Sequence, residues 1–167
     1  IYIGRNNHET ASNNVSGVSV MIGRGLALNS GSSGVLLGYS SSINNSDRVV
    51  SAGFGVNVQN SSYSLVYGGN TNPNECDDSI LLVGTLESSA FNSSYASDSV
   101  AIGRNSAIQG KDESPTTYSV AIGYKSRCYD NDDIGGVEKA VAIGFQALAR
   151  HSRSVAIGDD ARTSSDD

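Results

Sequence analysis

The chain has 167 residues, of which 38% are hydrophobic, and a formal net charge of −6 at pH 7. This acidic balance argues against binding to nucleic acid or to an anionic membrane, because both need clustered Lys and Arg. No apolar run approaches the ~20 residues that a membrane-spanning helix requires, and two cysteines do not make a disulfide framework.

A five-residue motif, Ser-Val-Ala-Ile-Gly, organises the sequence. It stands at residues 99–103 and returns at 119–123, at 140–144 with Ala in first place, and at 154–158. Weaker copies upstream end at Gly4, Gly23, Gly38, Gly53, Gly68 and Gly84. Neighbouring copies lie between 14 residues (Gly144 to Gly158) and 21 residues (Gly123 to Gly144) apart. Such internal periodicity is typical of repeat architectures.

Each repeat carries apolar residues three and one positions before its glycine, as at Val100 and Ile102. Period-two placement of β-branched residues predicts a strand, and we expect these side chains to fill the interior of a coil. Positions +3 and +5 after the glycine repeat the pattern and predict a second short strand. The glycine between the strands is expected to adopt a positive φ. The predicted turn glycines are Gly23, Gly38, Gly53, Gly68, Gly84, Gly103, Gly123, Gly144 and Gly158.

Two short strands and two turns in about 15 residues describe one coil of a β-solenoid. The predicted fold is therefore all-β and parallel, with about ten coils of 14–21 residues spaced by ~4.8 Å. The intervening Ser, Asn and Asp residues are those of return turns.

Position −2 of each repeat is apolar as well, which would leave a strip of side chains uncovered on a single coil stack. Such a strip predicts an association surface, with small residues in the last repeats approaching a central axis. The residues predicted to form this association surface are Met21, Leu36, Val66, Leu82, Ala101, Ala121, Ala142 and Ala156.

The pattern Ser-Val-Ala-Ile-Gly-x-x-Ala-x-Ala resembles the head repeat of trimeric autotransporter adhesins, the YadA-like head. The resemblance implies a left-handed parallel β-roll in which three chains associate along the motif strand. It is specific for residues 99–167 and looser for residues 1–98, within one repeat domain over 1–167 that we expect to be a fragment of a longer fibrous protein. The implied location is the bacterial cell surface, with an outer-membrane anchor in other regions and no membrane insertion by this fragment.

Candidate chemical sites are weak. Asp77-Asp78, Asp132-Asp133 and Asp159-Asp160 are adjacent carboxylates rather than a pair facing each other across a cleft, as glycoside hydrolysis needs. Residues 130–135 begin like a calcium loop, but Ile134 occupies a ligand position. We therefore expect no catalytic, cofactor or metal site.

Insertions between the motifs offer the best ligand contacts, since solenoid insertions map to surface loops. Phe91, Tyr95, Tyr118 and Tyr129 are the contact candidates, although the rings could equally cover the outer end of the roll.

The sequence thus predicts a non-enzymatic trimeric adhesin head that binds an extracellular protein or glycan. A viral tail-fibre segment, with a virion location, and a spacer for a neighbouring tip domain remain the alternatives. A depolymerase spike is disfavoured because short coils leave little wall for a grooved site.

Overall fold

The computed structural model describes residues 1–10, 19–29, 33–84, 95–110, 115–129 and 137–163. Within these ranges the regular structure is entirely β, and all strand pairs are parallel. In chain order the strands are β1 (Tyr2–Arg5), β2 (His8–Thr10), β3 (Ser19–Arg24), β4 (Ala27–Asn29), β5 (Gly34–Tyr39), β6 (Ser42–Asn44), β7 (Val49–Phe54), β8 (Asn57–Gln59), β9 (Leu65–Gly69), β10 (Ile80–Gly84), β11 (Ala96–Ser97), β12 (Val100–Ile102), β13 (Ala107–Gln109), β14 (Thr116–Thr117), β15 (Val120–Ile122), β16 (Arg127–Tyr129), β17 (Val141–Ile143), β18 (Leu148–Ala149) and β19 (Val155–Ile157).

The motif strands of successive repeats form one ten-stranded sheet, in the order β1-β3-β5-β7-β9-β10-β12-β15-β17-β19. The strands that follow the glycines form a second wall, as the sheets β2-β4-β6-β8 and β13-β16-β18. The short strands β11 and β14 pair with each other. This all-β, parallel arrangement confirms the predicted architecture and is consistent with a β-roll.

Equivalent residues of successive motifs stack directly on one another. Ala121 pairs with Ala101 on one side and with Ala142 on the other. Positions +3 and +5 point inward as predicted: Val56, Val58 and Cys128 are fully buried. The repeat spacing therefore fixes the register.

The assignment of the two faces of the motif strand was wrong. Met21, Leu36, Val66, Ala101, Ala121 and Ala142 are 0% exposed and Ala156 is 3% exposed in the single chain, so they fill the coil interior rather than an interface. The Val and Ile side chains on either side of them point outward. The interior is narrow, and in the motif repeats it holds Ala at position −2 and Ser or Ala at position −4, because larger residues at both places would not fit between the walls.

Leu82 is a different case, because its repeat is shifted by one residue. Ile80 pairs with Val100, and Leu82 with Ile102, so Leu81 takes the inward place and Leu82 the outward one. Val83 therefore pairs with Gly68, and Gly84 with Gly69. The prediction of Gly84 as a repeat glycine is wrong for the same reason.

A ladder of buried serines holds the coils together from inside. The Ser119 hydroxyl donates to the Thr117 carbonyl (3.0 Å) and accepts the backbone N–H of Ala140 (3.1 Å). Ser99 accepts the N–H of Ser119 in the same way (3.1 Å). Each hydroxyl thus satisfies a backbone group of the next coil that would otherwise be buried without a partner.

The repeat glycines are needed for close approach between coils. Gly123 has φ +129°, and a Cβ placed there would lie 2.2 Å from the carbonyl oxygen of Gly144. The corner itself comes two residues later, where Lys125 and Gln146 have φ values of 55° and 54°. The expected positive φ is present at Gly23, Gly38, Gly53, Gly103, Gly123, Gly144 and Gly158, and Gly68 is not among the glycines that adopt it.

Candidate interaction surfaces

The outward face of the ten-stranded sheet forms a continuous apolar strip. Ile22 is 42% exposed and Ile80 is 41% exposed, although both lie in strands of this sheet. We call this surface the apolar strip; its members are Val20, Ile22, Val35, Leu37, Val50, Ala52, Leu65, Tyr67, Ile80, Leu82, Val100, Ile102, Val120, Ile122, Val141, Ile143, Val155 and Ile157. A sheet this apolar on both faces is normally covered on both.

The predicted aromatic contacts do not come together in one site. Tyr118 is exposed, with the Lys139 Nζ atom 6.0 Å from its ring centroid. Tyr95 is half-buried at a corner with φ 49°. Tyr129 lies on β16, on the second wall, and pairs with Gln109. Phe91 lies outside the described residues, as do most of the insertions.

Two aromatic stacks follow the repeat glycines directly, and the sequence analysis did not single them out. Tyr39 stacks on Phe54 with centroids 5.5 Å apart. Tyr124 stacks on Phe145 at 5.2 Å, and the Arg104 guanidinium lies 4.6 Å from the Tyr124 centroid. The recurrence of an aromatic residue at position +1 was the available signal.

A basic cleft lies on the outer side of the second wall, in the last repeats. It encloses about 210 Å³. Its lining residues are Lys125, Arg127, Tyr129, Gln146, Leu148, Arg150 and Arg162. The sequence analysis named Tyr129 but not the four cations, because they are scattered over three repeats. All four stand two, four or six positions after a repeat glycine. Side chains at these positions point outward, so the shared spacing could have predicted a common surface.

The described part of the chain gives little support for a metal site or for a pair of catalytic carboxylates. There, no three His, Cys, Asp or Glu side chains gather as a metal site would require. Asp77 and Asp78 are exposed, as are Asp159 and Asp160, as expected for turn residues. The calcium-loop candidate at 130–135 lies outside the described residues.

The two thiols are buried and free. Burial raises the pKa of Cys76 and of Cys128 to about 12, so neither is a nucleophile at neutral pH. Across the described ranges, no helix has the length and apolar character that crossing a membrane would take.

Comparison with known proteins places part of the chain in a family. The YadA head domain repeat matches residues 138–161, in two copies. Those residues run from the end of the last insertion through β17, β18 and β19. No curated protein matches the chain, and no solved structure does. YadA head domains are adhesin domains rather than enzymes. Residues 138–161 thus carry two YadA head domain repeats, and their motif strands β17 and β19 continue the register of the upstream motif strands, which supports a YadA-like head domain.

Proposed function

We propose that this chain is the head of a non-enzymatic trimeric adhesin, displayed at the bacterial cell surface and anchored through other regions of its protein. Three copies of a left-handed roll of about ten coils would associate in parallel and bind an extracellular protein or glycan. The family match at 138–161 supports the adhesin class.

The apolar strip is the observation that carries the trimer. It runs across nine of the ten strands of the large sheet, from β3 to β19, which at a strand spacing of ~4.8 Å gives a face roughly 38 Å long. Exposed apolar surface of this extent marks an association site. The interface therefore consists of the residues at positions −3 and −1, such as Ile22 and Ile122, and not of the buried residues at position −2.

Trimerisation serves adhesion through multivalency. Three identical outer walls on one shaft raise avidity without any new contact, provided that the ligands can be engaged together. The insertions, with Tyr118 and Tyr129 at their borders, are proposed to contribute contacts to that ligand.

The trimer is tested by light scattering after size-exclusion chromatography. Ile122→Asp would place three carboxylates in the apolar interface, where each buried charge costs several kcal/mol, so the wild-type trimer should become a monomer. Gln59→Asp, on the exposed outer side of β8, is the matched control and should leave the mass unchanged. A monomeric wild-type chain would contradict the assembly.

Adhesion is tested separately with the chain coupled to beads. Beads carrying the wild-type chain should adhere to cells, whereas beads carrying Ile122→Asp should adhere more weakly because avidity is lost. Failure of the wild-type beads to adhere would leave a spacer role for the segment and overturn the adhesin proposal.

A further inference from the structure

The basic cleft concentrates positive charge on an acidic chain. The chain has 11 Lys and Arg against 17 Asp and Glu, yet among the described residues four cations and no carboxylate line this one cleft. The nearest described acid in sequence, Asp160, lies 3.9 Å from Arg162, and both side chains are 59% exposed. An ion pair of that exposure is weak, so Asp160 does not hold Arg162 away from another anion.

The β-register spaces these cations regularly along the rod. Arg127 pairs with Leu148, and Leu148 bridges to Arg162, so Arg127 and Arg162 occupy equivalent positions two coils apart, with their Cα atoms ~10 Å from each other. Arg150 lies on the coil between them, two residues after Leu148. Arg127, Arg150 and Arg162 therefore place a short line of positive charge along the direction in which the coils stack.

The same wall is built differently in the upstream repeats. There the outward positions carry amides that bond from coil to coil: Asn29 donates to Asn44 (2.6 Å) and Asn44 donates to Asn57 (2.7 Å). Such ladders stabilise adjacent strands, whereas like charges on neighbouring strands destabilise them. In the last repeats, cations that repel one another stand where the upstream repeats have a stabilising amide ladder. This substitution indicates a function.

The polar groups within the cleft are partly desolvated. The Arg150 Nε atom is buried and has no hydrogen-bond partner in the described part of the chain. Burial lowers the pKa of the Arg127 guanidinium, and Tyr129 hydrogen-bonds to it. A buried N–H donor beside several cations is well suited to an oxyanion, because charge-assisted bonds from guanidinium to oxyanion are the strong ones.

We propose that the basic cleft binds the sulfate and carboxylate groups of an acidic polysaccharide, with Arg127, Arg150 and Arg162 as the main contacts. Gln146 and Tyr129 supply hydrogen-bonding groups for the sugar rings. A nucleic acid fits less well, because single strands bind by stacking successive bases on aromatic side chains, and Tyr129 is the only aromatic residue among the described lining of the cleft.

The proposal rests on the adhesin function for the extracellular origin of its ligand, but it is tested on the isolated chain. Calorimetry would measure binding of a heparin hexasaccharide, with a hyaluronan hexasaccharide (carboxylate only), a neutral dextran fragment and a single-stranded oligonucleotide as comparisons. The double variant Arg127→Gln/Arg150→Gln should weaken heparin binding at least tenfold and lower the salt slope by about two, one for each cation removed.

The matched control is Arg24→Gln/Arg48→Gln, which removes two exposed cations elsewhere and should leave binding unchanged. If the cleft double variant does not fold, Arg162→Gln at the exposed side of the cleft provides the same test with a smaller loss. Equal binding by the variant, an equal loss in the control, or tighter binding of dextran or of the oligonucleotide would overturn the proposal. A changed oligomeric mass in the cleft variant would also overturn it, since the cations would then be assembly contacts.

Bead adhesion separates this site from the proposed function. Heparin binding that depends on the cleft, without adhesion of wild-type beads, would support the site and contradict the adhesin. Adhesion that the cleft variant retains, without heparin binding by the wild type, would contradict the site alone.

Discussion

Replacement of Gly123 by alanine tests whether the glycine ladder sets the spacing of the coils. At Gly123 a Cβ would lie 2.2 Å from the Gly144 carbonyl oxygen. Gly158 offers a matched control, because its φ of +131° is almost the same as the +129° of Gly123, while the nearest atom to its Cβ position, the Ala161 Cβ, is 3.8 Å away. The two variants therefore share the backbone strain and differ in the clash.

The magnitudes follow from the two contributions. A residue with a side chain in this region of φ costs of the order of 1–3 kcal/mol, and both variants bear that cost. The clash at Gly123 further requires the coils to move apart, which would lengthen the bond from the Gly144 N–H to the Ile122 carbonyl, now 2.8 Å. Loss of such a buried bond costs about 1–3 kcal/mol. We expect Gly123→Ala to lose roughly 2–6 kcal/mol in total.

Urea denaturation followed by circular dichroism, at one fixed protein concentration, would measure both free energies of unfolding. Gly123→Ala should be the less stable by at least about 1 kcal/mol. Equal losses in the two variants would refute the argument from close approach and leave only the backbone strain. A Gly123→Ala chain as stable as the wild type would refute both contributions.

Three further predictions concern the coil interior. Ser119→Ala should destabilise the fold by about 1–3 kcal/mol, measured by urea denaturation, because the Ala140 N–H loses its acceptor. Ser51→Ala should instead stabilise it by about 1 kcal/mol, since the buried Ser51 hydroxyl has no partner among the described residues; a loss of stability would reveal a hidden bond. The thiols Cys76 and Cys128 should resist iodoacetamide at pH 8 until the chain is unfolded. Because burial raises their pKa from 9.0 to about 12, the stability they confer is complete below pH 9 and is lost as the pH rises towards 12, which a titration of the unfolding free energy would show.

The sequence predicts the fold class well because the spacing of the repeats determines the stacking. Four near-identical motifs place Val on Val and Ala on Ala, and the register of β12, β15, β17 and β19 follows from that alone. One displacement escaped prediction. Gly84 suggested a repeat of 16 residues after Gly68, whereas a count of 15 reaches Val83, which is the residue that pairs with Gly68.

Periodicity alone could not decide which face of the motif strand points inward, since both faces are apolar. The rule that large aliphatic residues fill the interior favoured Val100 and Ile102, and it failed because the coil is too narrow. Ser99 shares its face with Ala101, and a recurrent buried serine that bonds to the next coil was the overlooked indication. The basic cleft was missed for a related reason: Arg127, Arg150 and Arg162 are distant in sequence and meet only through the register.

The placement of small residues inside and large ones outside has a consequence for how the molecule folds. In the last repeats the interior holds mostly Ala and Ser, with single larger residues such as Ile108, Cys128 and Val137, so a lone chain gains limited apolar burial relative to its entropy cost. The large side chains of β15 and β17 contribute fully only when another copy covers them. Folding and association would then be one equilibrium, in which the melting temperature rises with protein concentration. A dilute chain would be more exposed to proteolysis than a concentrated one.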